Sequence, residues 1–167
     1  MAVRPVVRMP APALKRPAAA VGRVDERALA LARDLVDTMR AFDHCVGLAA
    51  PQIGVPRRAL VVDVTGHRKT RSSHGLIVLF DPELVRAADP EVAREGCMSV
   101  PDLTGDVARP ASVAVRGRTP EGGGRLVEAD AFEARALLHE LDHLDGLLFL
   151  DRVGSVHRDL FRRRRYR

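Results

Sequence analysis

Leu138-His139-Glu140-Leu141-Asp142-His143-Leu144 decides how this chain folds, because it places an HExxH pattern on what the spacing predicts is a buried helix. At 3.6 residues per turn His139 and His143 leave the same face, where two imidazoles can bind one metal ion. Glu140 stands beside that face. A carboxylate there is placed to exchange a proton with a water on the metal, as hydrolysis of an amide or ester requires. The same pattern recurs on ordinary charged helix surfaces, so the neighbours decide. Phe132, Ala136, His139 and His143 share one stripe, and Leu137, Leu141, Leu144 and Leu148 continue another. A helix apolar nearly all round is central, and ionisable groups on it need partners or a task.

The third ligand separates the chemical classes. In the zinc-peptidase pattern HExxHxxGxxH, Gly146 fits but the third histidine position is Phe149, and no glutamate follows Glu140 to replace it. Asp145, Asp151 and His157 are weak candidates. Upstream, Cys97 lies in Glu95-Gly96-Cys97-Met98-Ser99. A thiolate with two imidazoles makes a three-ligand site with one position open for water.

Three motifs stand in order: Gly47-Leu48-Ala49-Ala50-Pro51-Gln52, Glu95 to Ser99 (EGCMS), and HELDHLDG from His139. With Asp81-Pro82-Glu83-Leu84 and Arg109-Pro110 between them, the chain resembles the peptide deformylase family over roughly residues 3 to 153. That family removes formyl from the N-terminal methionine of nascent proteins. The resemblance implies that Cys97, His139 and His143 hold one metal with a water in the fourth position. It implies that Glu140 is the general acid/base, that the Gln52 side chain and the Met98 backbone N–H hold the oxyanion, and that Glu95 pairs with Arg109. Cys45, Val46, Gly47, Gly96, Phe132 and Ala136 are implied as substrate contacts. Thiolate and imidazole suit both Zn(II) and Fe(II); the family usually takes Fe(II), with Ni(II), Co(II) or Zn(II) replacing it.

The chain departs from the family at three places. Cys45 stands where glycine is usual two residues before Gly47, Leu138 replaces the glutamine before the first histidine, and Asp81 replaces the asparagine of NPxL. None removes a ligand or the acid/base. Rival readings keep part of the pattern: a zincin-type peptidase, a hydrolase of another N-acyl amine, or a non-catalytic domain with a closed structural metal. The last needs a fourth protein ligand, for which Cys45 is the candidate.

At 167 residues the length predicts one domain, 1–167, with a basic tail over 154–167. The net charge of +5 is almost wholly arginine, since Lys15 and Lys69 are the only lysines. Tryptophan is absent, so Leu, Val and Ala must fill the interior. Two cysteines give no disulfide framework and point to a reducing cytoplasm, and no apolar run reaches the length of a membrane span. The early basic stretch suggests a transit peptide, but Pro5, Pro10, Pro12 and Pro17 break any amphipathic helix there. It reads instead as an extended arm over 1–24, pinned by Val6, Val7, Met9 and Leu14.

Along the rest, apolar spacing predicts a helix from Asp25, its cap, to Phe42. Strands are predicted at Ala59–Val64 and Leu76–Phe80 around a polar loop, 65–75, whose His67 and His74 read as solvated. Ser112–Arg116 pairs with Arg125–Glu128 across a glycine-rich turn. Asp130 and Glu133 read as a capping box for the HExxH helix, and Gly146 as its end. The expected fold is α+β, with short antiparallel sheets around that helix. The partners expected are a formyl-methionyl peptide and, through Arg162–Arg165 with Tyr166 and Arg167, ribosomal RNA. The protein is expected to be a monomer.

Overall fold

Among residues 2–164, which the computed structural model describes, five successive strands lie between the two longer helices, an α+β order. They are α1 (Glu26–Arg40), β1 (Gly47–Ala49), β2 (Ala59–Val62), β3 (Ile77–Cys97), β4 (Val100–Arg118), β5 (Gly124–Asp130), α2 (Ala131–Leu144), α3 (Val156–Asp159) and β6 (Leu160–Arg162). The strands form one antiparallel sheet in the order β1-β2-β3-β4-β5, with β6 also on β4.

The sequence showed only the ends of the two long strands. Leu76–Phe80 opens β3 and Ser112–Arg116 closes β4, but the two run paired far beyond those limits, with Pro90 opposite Pro110. Proline removes a ladder donor and argues against a central strand. Here it is tolerated because β2 pairs only with 77–80, which leaves β3 an outer edge beyond Phe80. Register shifts at Phe80/Glu83, Leu84/Arg86 and Gly96/Cys97 interrupt the ladder, and such bulges bend a strand. The expected hairpin forms, with Arg116 opposite Leu126 and Ser112 opposite Asp130.

The α2 helix lies in the middle of this arrangement. Leu137, Leu138, Leu141 and Leu144 pack with Val62, Leu79, Val113, Val115 and Val127 in one apolar cluster. Leu137 is fully buried, and truncating such a leucine to alanine costs about 2–5 kcal/mol. The helix ends as expected: Gly146 takes φ +75, and a Cβ there would strike the backbone of Lys15 and Arg16. The N-terminal arm therefore crosses the helix end, where the Ala18 N–H donates to Leu144 O at 2.8 Å.

The capping box does not form. Asp130 makes no side-chain cap, accepting instead from Ser72 Oγ at 2.8 Å, while Glu133 accepts from the His74 N–H at 2.8 Å and contacts its Nδ1 at 2.7 Å. Both carboxylates clamp the 65–75 loop, so His74 is partnered rather than simply solvated. Asp25, by contrast, caps α1 as expected, accepting from the N–H groups of Arg27 and Ala28. The arm is pinned by Leu14, which is fully buried, but Met9 is exposed. Its backbone holds it instead: Met9 N–H donates to Ser99 O and Val7 N–H to Gln52 O. No helix among the described residues is long and apolar enough to cross a membrane.

Candidate active site and metal centre

Three parts of the chain converge on one cleft of about 280 Å³. The β1 strand and the turn after it bring Val46, Gly47 and Gln52; the β3–β4 turn brings Gly96, Cys97 and Met98; α2 brings Phe132, Ala136, His139 and Glu140. Cys45 lines it as well, and His143 meets Cys97 from the next turn of the helix. The residues that the resemblance implies as ligands, catalysts or substrate contacts are thus gathered at one place, and the weak candidates Asp145, Asp151 and His157 are not among them.

Cys97 Sγ lies 3.3 Å from His143 Nε2, and the donor atoms of Cys97, His139 and His143 lie within 4.8 Å of one another. Bonds of ordinary length to a tetrahedral ion would set sulfur and nitrogen about 3.6 Å apart. The donor set fits a divalent metal, and so does its support. His139 Nδ1 meets Glu95 Oε1 at 2.7 Å, which turns Nε2 towards the centre and fixes the tautomer. Cys45 is not part of this group; its Sγ donates to Gly47 O at 3.2 Å.

Glu95 is itself held by charge. Arg109 donates to it twice, at 2.7 and 3.1 Å, and Arg135 once, at 3.1 Å. Arg109 also donates to Asp142 at 2.8 Å, and Arg152 grips the same carboxylate from the other side. Burial alone would raise the Glu95 pKa, but His139 and Arg109 outweigh it and hold the carboxyl at about 2. For His139 burial is likewise overcome, by Cys97 and Glu95, and the net shift is well upward. His143, buried and facing His139 and Arg109, is shifted well down, which favours the neutral form that ligates.

Glu140 has a different environment. Burial pushes its carboxyl up to about 7, and Oε2 is buried with no partner. Its other oxygen rests on Gly47, where a Cβ would stand 2.6 Å from Oε1. Gln52 is fixed by the Ala49 N–H, which donates to its Oε1 at 2.9 Å, so that Nε2 faces Cys97 Sγ at 3.6 Å and Ser99 Oγ at 3.2 Å. A carboxyl pushed up to about 7 therefore shares the cleft with Cys97, His139 and the side-chain amide of Gln52.

A family model described as Polypeptide deformylase matches residues 3–159. The chain belongs to the peptide deformylase family. It is 40% identical over 163 residues to the peptide deformylase of Agrobacterium fabrum, covering 96% of this chain and 92% of the relative. A peptide deformylase structure from Legionella pneumophila superposes with a TM-score of 0.84 at 35% identity, covering 94% and 89% of the two chains. A class I type b enzyme from Acinetobacter baumannii, crystallised with Met-Ala-Ser bound, has a TM-score of 0.84 at 31% identity, covering 91% of this chain and all of the other. As a member of the family the chain is a metal-dependent hydrolase acting on an amide bond.

The sequence reading missed several residues of the cleft. His67, read as solvated, stacks on Phe132 with ring centroids 4.2 Å apart, and Lys69 approaches the same ring. Asp142, within HELDH, went unassigned although its two arginine partners tie α2 to the sheet and to the chain beyond the helix. Arg163, read as part of a basic run for ribosomal RNA, lines the cleft. Arg165, Tyr166 and Arg167 lie outside the described residues.

Proposed function

We propose that this chain removes the N-formyl group from the N-terminal formyl-methionine of nascent peptides, releasing formate and a free amine. One observation carries the reading. The unpartnered carboxylate oxygen of Glu140 lies in a cleft shared with Cys97, His139 and the Gln52 amide.

In this reading Cys97, His139 and His143 hold the metal, with Fe(II) the expected ion and Zn(II), Ni(II) or Co(II) as substitutes. Bound there, a divalent cation supplies Lewis acidity and a water acidified towards neutral pH. Glu140 takes the proton of the attacking water and returns it to the leaving amine, a role suited by a carboxyl pushed up to about 7. Gln52 Nε2 and the Met98 N–H hold the developing oxyanion, each worth roughly 3 kcal/mol. Phe132, Ala136 and Val46 wall the methionine side chain, and Cys45, Gly47 and Gly96 border the peptide backbone. Glu95 and Arg109 act at one remove by orienting His139.

The protein works in this reading as a single domain, as a monomer and in the cytoplasm. The exposed Arg158, Arg162 and Arg164 provide a basic edge for ribosomal RNA; phosphate contacts there would give binding that weakens steeply with salt. The activity is tested by formate release from formyl-methionyl and acetyl-methionyl peptides, using protein prepared anaerobically with Fe(II) or loaded with Ni(II). Release from the formyl peptide alone supports the assignment. Turnover of the acetyl peptide at equal rate points to a broader N-acyl hydrolase.

A further inference from the structure

The tail turns back onto the cleft. The β6 strand is zipped to β4 with Leu103 opposite Arg162 and Gly105 opposite Leu160, and the next residue, Arg163, donates its N–H to Asp102 O at 2.8 Å. This pairing aims the Arg163 side chain at Gly96, the residue before Cys97. A Cβ at position 96 would stand 3.2 Å from Cζ of Arg163 and closer still to Nη2, so the guanidinium occupies the space that glycine leaves. Arg163 Nε is buried with no hydrogen-bond partner.

The cations of the cleft are unequally paired. Of the lining cations, Arg94 is paired with Asp106 at 2.6 Å and lies over the Phe161 ring, while Arg135 is spent on Glu95. Glu95 is in turn committed to Arg109, Arg135 and His139. Among the described residues Arg163 and Lys69 line the same cleft without an acidic partner. A guanidinium that lines a cleft, with no anion among the described residues to satisfy it, is a receptor for a planar anion.

We propose that Arg163 is a specificity-determining residue that binds a carboxylate carried by the peptide downstream of its formyl-methionyl residue. The inference rests on the deformylase reading, because it is the amide bond at the metal that fixes which end of the peptide passes Gly96. The carboxylate comes either from an acidic side chain or from the terminus of a short peptide. Lys69, which lines the same cleft, adds to the same field.

The test compares formyl-Met-Glu-Ser amide with formyl-Met-Gln-Ser amide, and formyl-Met-Ala-Ser with its amide, on the metal-loaded enzyme. Wild type is expected to favour the charged member of at least one pair by about tenfold in kcat/KM, the size of a hydrogen bond to a charged group. The pair that shows the preference identifies the source. Arg163→Ala should bring that ratio close to one, Arg163→Lys should keep part of it, and the exposed Arg23→Ala should leave it as in wild type. Ratios near one in wild type, ratios unchanged by Arg163→Ala, or equal acceleration of every peptide by that variant would overturn the proposal. Calorimetric binding of the product peptides Met-Glu-Ser amide and Met-Gln-Ser amide gives the same comparison without turnover. If wild type hydrolyses no formyl peptide, the activity fails, and this binding ratio still decides the role of Arg163.

Discussion

Glu95 Oε1 and His139 Nδ1 meet at 2.7 Å across 44 residues of chain, joining the segment that carries Cys97 to the helix that carries both histidines. Carboxylate partners of this kind orient a ligating imidazole and raise its basicity, and their loss costs about 10–100-fold in metal affinity. Glu95→Gln is expected to lose metal in that range under dialysis against a competing chelator. Arg109 and Arg135 would lose a charged partner at the same time, so thermal stability should fall by roughly 3 kcal/mol. Metal affinity equal to wild type in a destabilised protein would reduce Glu95 to a structural role.

Glu140→Gln separates binding from chemistry. The amide is close to the carboxylate in shape but cannot take a proton, so metal content should match wild type while kcat falls by at least about a hundredfold. Substantial turnover across the pH range would remove Glu140 from the mechanism.

Gly47→Ala approaches the same carboxylate from the other side. Its methyl would stand 2.6 Å from Glu140 Oε1, which must then move. The expected result is a fall in kcat of up to about a hundredfold with unchanged metal content, because misplacing a reacting group by an ångström has a cost of that size. The effect should be non-additive with Glu140→Asp, whose shorter side chain vacates the contested space. A Gly47→Ala enzyme as fast as wild type would show that the carboxylate has another productive position.

What the sequence made legible was local. HExxH could be read because its spacing puts two imidazoles on one helix face, EGCMS because it resembles a family motif, and the Asp25 cap because it serves its own helix. Glu133 was misread because its partner, His74, lies 59 residues away in a loop with no pattern of its own. The Pro90 and Pro110 pair disguised two long strands, since proline is excluded from a central strand but not from an open edge. Arg163 could not be told from its neighbours in a run of arginines, because only the β6 pairing decides which of them turns inwards.

Cys45 is the departure nearest the chemistry, and the fold accommodates it without left-handed strain. The positive φ of this segment falls on His44, at 67°, and not on Cys45. The thiol packs against the cluster containing Leu35, Met39 and Leu48, and donates to Gly47 O. Its edge still borders the cleft, but most of what a glycine would remove is packing. Cys45→Gly should therefore lower stability by about 1–2 kcal/mol without raising turnover. Burial, then the Glu140 charge, push the thiol from its ordinary 9.0 up to about 12, which sets the pH dependence. With the folded pKa raised, the contribution of Cys45 is fully present below about pH 9 and is lost as pH climbs towards 12. Melting curves at pH 7 and pH 10 on wild type and Cys45→Ala should show the wild-type advantage shrinking at the higher pH. A Cys45→Gly enzyme that is faster and no less stable would mean that the side chain obstructs the substrate path after all.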